Sequence, residues 1–107
     1  MAVTVKTKEE IDIIREGGKR LAGILDQVAL SARVGIATFE LDKLAEDLIL
    51  QSGGTPSFKG YRIKGARHAY PGTICISINE EVVHGIPRND RILRQGDVVG
   101  LDIGMWW

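Results

Sequence analysis

Ile74-Cys75-Ile76-Ser77-Ile78-Asn79-Glu80-Glu81-Val82-Val83-His84-Gly85-Ile86-Pro87 begins with isoleucine at every second position and ends in a Gly-containing, Pro-terminated turn. Alternation of period two predicts a strand, because successive side chains of an extended chain point to opposite faces. The isoleucine face should be buried, while the small polar face of Cys75, Ser77 and Asn79 is left free to line a site. Asn79-Glu80 predicts a turn, Val82-Val83 a return to extended structure, and Gly85 with Pro87 its close. His84 therefore stands where an apolar extended run breaks, a place from which an imidazole can face a pocket.

Downstream, Gln95-Gly96-Asp97 predicts a turn into a last strand over residues 98–104. One face of it carries Val98, Gly100, Asp102 and Gly104, the other Val99, Leu101, Ile103 and Met105. The glycines flanking Asp102 on its own face leave space above the carboxylate. A buried charge with space above it calls for a cation, a metal or a ligand. Pairing with Arg91 or Arg94 would satisfy it as well, and sequence chemistry does not choose between the two. His84 fits either a satisfied core or surface histidine or an acid–base role. Cys75 has no helix start or base beside it in sequence and reads as a small apolar wall rather than a nucleophile.

Upstream, the pattern is helical. Thr7 followed by Glu10 has the spacing of a capping box, in which hydroxyl and carboxylate each take an otherwise orphaned backbone amide. Ile11, Ile14, Gly18, Leu21, Leu25 and Val28 then recur at steps of three and four, predicting one packed stripe with Gly18 as a point of close approach. Residues 34–37 break this period. Thr38 is the expected cap of a second helix, with Glu40 and Asp42 suiting the positive end of its dipole and Leu41, Leu44, Ala45 and Leu48 forming its stripe. Gly53-Gly54 suits a left-handed helix end, and Pro56 prevents continuation. Ahead of the first helix, residues 2–5 alternate weakly and suggest a short edge strand.

Residues 55–72 lack periodicity and gather Gly, Pro, aromatic and basic residues. Such a loop is either a solvated connector or a binding loop, and its Lys59, Arg62, Lys64 and Arg67 with Tyr61 and Tyr70 interleaved could touch an RNA backbone. The chain as a whole has 107 residues, 44% hydrophobic, with fourteen basic residues balancing fourteen acidic ones. That suits one domain over residues 1–107 and gives no overall field favouring nucleic acid or an anionic membrane. Cys75 is the single cysteine and cannot form an internal disulfide. No apolar run approaches the roughly 20 residues needed to span a bilayer, and the N-terminus lacks a signal-peptide pattern. The expected setting is cytoplasmic.

Residues 74–87, followed by Leu93-Arg94-Gln95-Gly96-Asp97-Val98-Val99-Gly100-Leu101-Asp102-Ile103-Gly104, closely resemble type I methionine aminopeptidases, as does the opening helix pattern of residues 6–21. The resemblance covers essentially the whole chain. It implies an α+β fold, half of a pita-bread fold, with two antiparallel helices on a small, mainly antiparallel sheet. It also implies metal-dependent removal of the N-terminal methionine from nascent chains. On it, His84 matches the histidine contacting the scissile amide, Asp102 the first carboxylate ligand of a two-metal centre, and Tyr70 and Cys75 residues lining the methionine pocket. His68 matches a nearby loop histidine. The metals, Co, Mn, Fe or Zn, would be two per complete site and activate water.

The family's other ligands, a second aspartate, a histidine and two glutamates, are expected past Trp107 and absent from this chain. One carboxylate cannot hold a bimetallic centre, so this chain alone is expected to be inactive. Residues 105–107 are expected to form an unpaired aromatic edge that invites self-association. The alternatives are a half-fold that dimerises and a non-catalytic module touching the ribosome or a nascent chain.

Overall fold

The structure, a computed structural model, describes residues 2–62 and 64–107. Helix α1 (Lys8–Ser31) starts with the expected capping box: the Glu10 amide donates to Thr7 Oγ1 and the Thr7 amide to Glu10 Oε1. Helix α2 (Thr38–Ser52) begins one residue earlier than the cap assignment implies. Ala37 is the capping position, and its amide donates to Glu40 Oε2 at 2.9 Å. Thr38 instead sits in the first turn, fully buried, where its hydroxyl donates to the Arg88 carbonyl and accepts from the Arg88 amide. Gly53 ends α2 at φ 95°, the left-handed geometry that suits glycine.

Four short strands follow: β1 (Thr55–Pro56), β2 (Ile74–Ile78), β3 (Val99–Ile103) and β4 (Met105–Trp106). β2 and β3 pair antiparallel with Ile74 opposite Ile103, Ile76 opposite Leu101 and Ile78 opposite Val99. These six side chains pack with Ile24, Val28, Leu41, Ala45 and Ile49 into the core. Burial of aliphatic side chains at roughly 25 cal/mol per Å² is the main force holding the helices to the ribbon.

Four expectations are corrected. The buried line of α1 is Gly17, Ile24 and Val28, while Ile11 and Ile14 stay exposed. Gly17, not Gly18, is the point of close approach: a Cβ there would lie 2.9 Å from the Trp107 ring, whereas one on Gly18 would meet nothing within 4 Å. Residues 2–5 form no strand and are exposed, since no neighbouring strand takes their backbone groups. Residues 82 and 83 also lie outside any strand and are exposed. Asn79 at φ 57° and the Glu81 carboxylate accepting the Ile78 amide turn the chain away from the ribbon at that point.

The terminal segment is not an unpaired edge. Thr55 pairs with Trp106 and Pro56 with Met105, a close approach that Gly54 permits, because a Cβ there would lie 2.8 Å from the Trp106 carbonyl oxygen. Trp107 lies under the Arg20 guanidinium at 4.4 Å, a cation–π contact, while Trp106 stays 70% exposed.

A candidate active-site cleft

The second face of the β2–β3 ribbon carries Cys75 opposite Asp102 and Ser77 opposite Gly100. The expectation of a half-buried β2 fails, because all five of its residues are buried. The covering over Ser77 comes from Gly85, and Tyr70 lies against Cys75. The Ile76 amide donates to the Gly85 carbonyl at 2.8 Å, and the Gly85 amide donates to Ser77 Oγ at 3.1 Å. A side chain at Gly85 is impossible, since its Cβ would stand 1.9 Å from the Ile76 carbonyl oxygen. The loop thus lies directly on the strand, and His84 next to it is held at φ 60°.

Beside this contact opens a cleft of about 1100 Å³. His68, Tyr70, Cys75, His84 and Asp102 all line it, so the five residues singled out from sequence share one cavity. Phe58, Tyr61, Ile86, Met105 and Trp106 add an apolar, aromatic wall that sequence reading did not assign to the site. Phe58 meets Tyr70 edge to face with ring centroids 6.5 Å apart.

Tyr70 is anchored at its polar end, where the single hydroxyl proton is shared between the carbonyls of Ile74 at 3.0 Å and Gly85 at 3.2 Å. Burial, helped by the neighbouring Cys75 thiol, holds the phenol well above its ordinary range, so it stays a neutral donor. Burial likewise pushes the Cys75 thiol up, which suits a wall and not a nucleophile.

The carboxylate at the cleft differs from expectation. Asp102 is exposed rather than buried, as is Gly100 on the same face, whereas the space expected above Gly104 is filled by Ser57 and Phe58. The arginine alternative is not realised: Arg91 pairs with Glu81 at 2.8 Å, and among the described residues no ion pair reaches Asp102. Nor do the described residues bring three His, Cys, Asp or Glu side chains together as a metal-binding group. A divalent ion wants several oxygen or nitrogen donors, so the donor set of this chain does not by itself fit one.

Behind the cleft, α2 fixes where β2 begins. Asp42 is buried and accepts the amides of Thr73 at 2.7 Å and Ile74 at 3.0 Å. Desolvation raises its carboxyl above the usual range even though both amides pull it down. One turn on, Glu46 accepts from Thr73 Oγ1 and from Lys59 Nζ, and the Lys59 bond holds its carboxyl below the usual range. Sequence reading missed this pair because their partners lie 13 to 32 residues away. The basic loop is correspondingly less free than its composition suggests, since Lys59 is engaged by Glu46 and Arg62 donates to the Ala66 carbonyl. Ile63 within that loop lies outside the described residues.

The sequence matches the profile of metallopeptidase family M24 over residues 12–107, and the chain belongs to that family. Among curated proteins it is 41% identical over 102 residues to a methionine aminopeptidase of Clostridium acetobutylicum, covering 95% of this chain and 38% of that one. A methionine aminopeptidase 1 of Bacillus subtilis is 42% identical over 102 residues with the same coverage. The crystal structure of a methionine aminopeptidase from Thermotoga maritima superposes with a TM-score of 0.88 at 31% identity, over 99% of this chain and 40% of that one. That of Rickettsia prowazekii gives 0.86 at 32% identity, over 97% and 39%. The fold is therefore the expected one, two helices with small antiparallel sheets. The chain spans about two-fifths of the length of the relatives it matches.

Proposed function

We propose that residues 1–107 act as one domain, the amino-terminal half of a cytoplasmic, metal-dependent methionine aminopeptidase, and form one wall of its active site. The observation that carries this reading is the convergence of His68, Tyr70, Cys75, His84 and Asp102 on a single cleft with an aromatic floor. On this reading the methionine side chain of a nascent chain's first residue lies against Tyr70 and Cys75. The half-buried, neutral phenol and the buried thiol present a surface without charge to a thioether. His84 contacts the scissile amide. His68 closes the cleft from the loop side.

A bound pair of divalent ions would supply an activated water. Asp102 offers one carboxylate toward them, and every other donor must come from outside these 107 residues. The test uses the intact protein that carries this chain, supplied with Co, Mn, Fe or Zn and a Met-Ala-Ser peptide, with free methionine measured. Turnover abolished by Asp102→Ala supports the reading. Unchanged turnover in that variant overturns it. The 107-residue chain alone should release little or no methionine.

No helix among the described residues is long and apolar enough to cross a membrane. Contact with a ribosome would fall to the exposed Lys64 and Arg67, and Lys64→Glu should then weaken ribosome co-sedimentation. Self-association would use the exposed Trp106 rather than an unpaired strand edge, and a monomer in light scattering at high concentration would remove it.

A further inference from the structure

His84 is one of two non-glycine residues with positive φ, at 60°, among the described residues. The left-handed region is unfavourable for a side chain bearing a Cβ, and it persists only where neighbours enforce it. The other, Asn79, has an evident local cause: its side chain accepts the Val98 amide and donates to Asp97 Oδ1, and it closes the ribbon. His84 has no such bond of its own among the described residues. What fixes it is the next residue. Gly85 is buried, its amide donates to Ser77 Oγ, and its carbonyl accepts from both the Ile76 amide and the Tyr70 hydroxyl.

We propose that Ser77, with the Tyr70 hydroxyl, is a positioning residue for His84: by clamping both polar groups of Gly85 onto β2, it holds the histidine backbone left-handed and its imidazole at the cleft. Ser77 does not touch substrate. It sits at the buried end of the strand face whose other residue, Cys75, lines the cleft, opposite Gly100. A hydroxyl is suited to this place because it accepts an amide without introducing charge into a buried site. The inference rests on the reading of the cleft as an aminopeptidase site.

A double-mutant cycle in the intact, metal-loaded protein tests it, with Met-Ala-Ser as substrate and Ser77→Ala, His84→Ala and the double variant compared. Ser77→Ala should lower kcat about tenfold with KM within about twofold, the scale of one lost buried hydrogen bond expressed only in the aligned complex. In the His84→Ala background the same change should cost nothing further, because its effect is transmitted through the imidazole. A full tenfold loss in that background, or none in the wild type, overturns the proposal while leaving the aminopeptidase reading intact. Wild-type turnover in His84→Ala alone overturns that reading and the proposal together. Ser77→Thr keeps the acceptor oxygen and should restore kcat to within about twofold, and faster hydrogen exchange of the Gly85 amide in Ser77→Ala should report the lost clamp independently of turnover. Where Ser77→Ala fails to fold, Tyr70→Phe takes its place in the cycle with the kcat expectations alone, since it removes the hydroxyl held at Gly85 and Ile74 but also alters the methionine pocket.

Discussion

The two faces of the β2–β3 ribbon are made from the same ten residues, yet they are built on opposite rules. Toward the helices stand Ile74, Ile76, Ile78, Val99, Leu101 and Ile103, branched side chains whose only task is to exclude water. Toward the cleft stand Cys75, Ser77, Gly100 and Asp102, small or polar, with β2's half buried, Ser77 under Gly85, and β3's half exposed. The first face makes the ribbon stable. The second gives it something to do, and it can stay sparse because the first already holds the strands in register.

The largest break in that contrast should come from the helix side. Ile76→Ala removes a 1% exposed side chain from the centre of the core and should destabilise by about 2–5 kcal/mol in urea denaturation. Asp42→Ala comes next. It strands two buried amides at the start of β2 and should cost about 2–4 kcal/mol, whereas Asp42→Asn keeps an acceptor oxygen, sheds the desolvated charge and should be near neutral.

The same helix turn carries an acid response with two signs. Asp42 has its folded-state carboxyl raised above 3.8, so its unfavourable contribution is present at neutral pH and is relieved as pH falls through that raised value. Glu46 has its carboxyl lowered below 4.5, so its favourable pairing with Lys59 is present above that value and is lost as pH falls below it. Stability measured against pH in Asp42→Asn should therefore lose the acid-side gain and keep the loss.

Smaller effects separate neighbours. Gly17→Ala should destabilise by about 1 kcal/mol or more by pressing on the Trp107 ring near its attachment point, while Gly18→Ala, in open space on the same helix, should stabilise by about 0.5–1 kcal/mol. Smallest of all, Asp102→Ala should change the melting of the chain by less than about 0.5 kcal/mol, since the carboxylate is exposed and unpaired among the described residues. An abolished activity beside an unchanged stability would place Asp102 wholly on the functional side of the contrast.

What the sequence made legible follows the range of the interactions. The Thr7–Glu10 box, the left-handed Gly53 and the isoleucine alternation are local, and each could be read from within a few residues. His84 stands out at a break in an extended run and Asp102 as a lone carboxylate between glycines on one strand face, and both take their roles from resemblance. Gly17 was missed in favour of Gly18 because the two lie about 100° apart on the helix, and the choice is made by a tryptophan ninety positions away. The burial of Ser77 was missed for the same reason, since its cover arrives from Gly85 by a loop that leaves the strand and returns. Asp42 read as a favourable charge at a helix start, yet its burial and its hold on β2 depend on a strand thirty-two residues on.

The reciprocal bonds between Thr38 and Arg88 bear on the order in which the molecule assembles. They join residues fifty positions apart, so chain entropy opposes them until the intervening helix and strand are in place. The helices, by contrast, close over spans of a few residues and form early. During synthesis the second helix would therefore stand with its first turn unfastened until residue 88 has been made. The turn that follows His84 is fastened to the second helix only then.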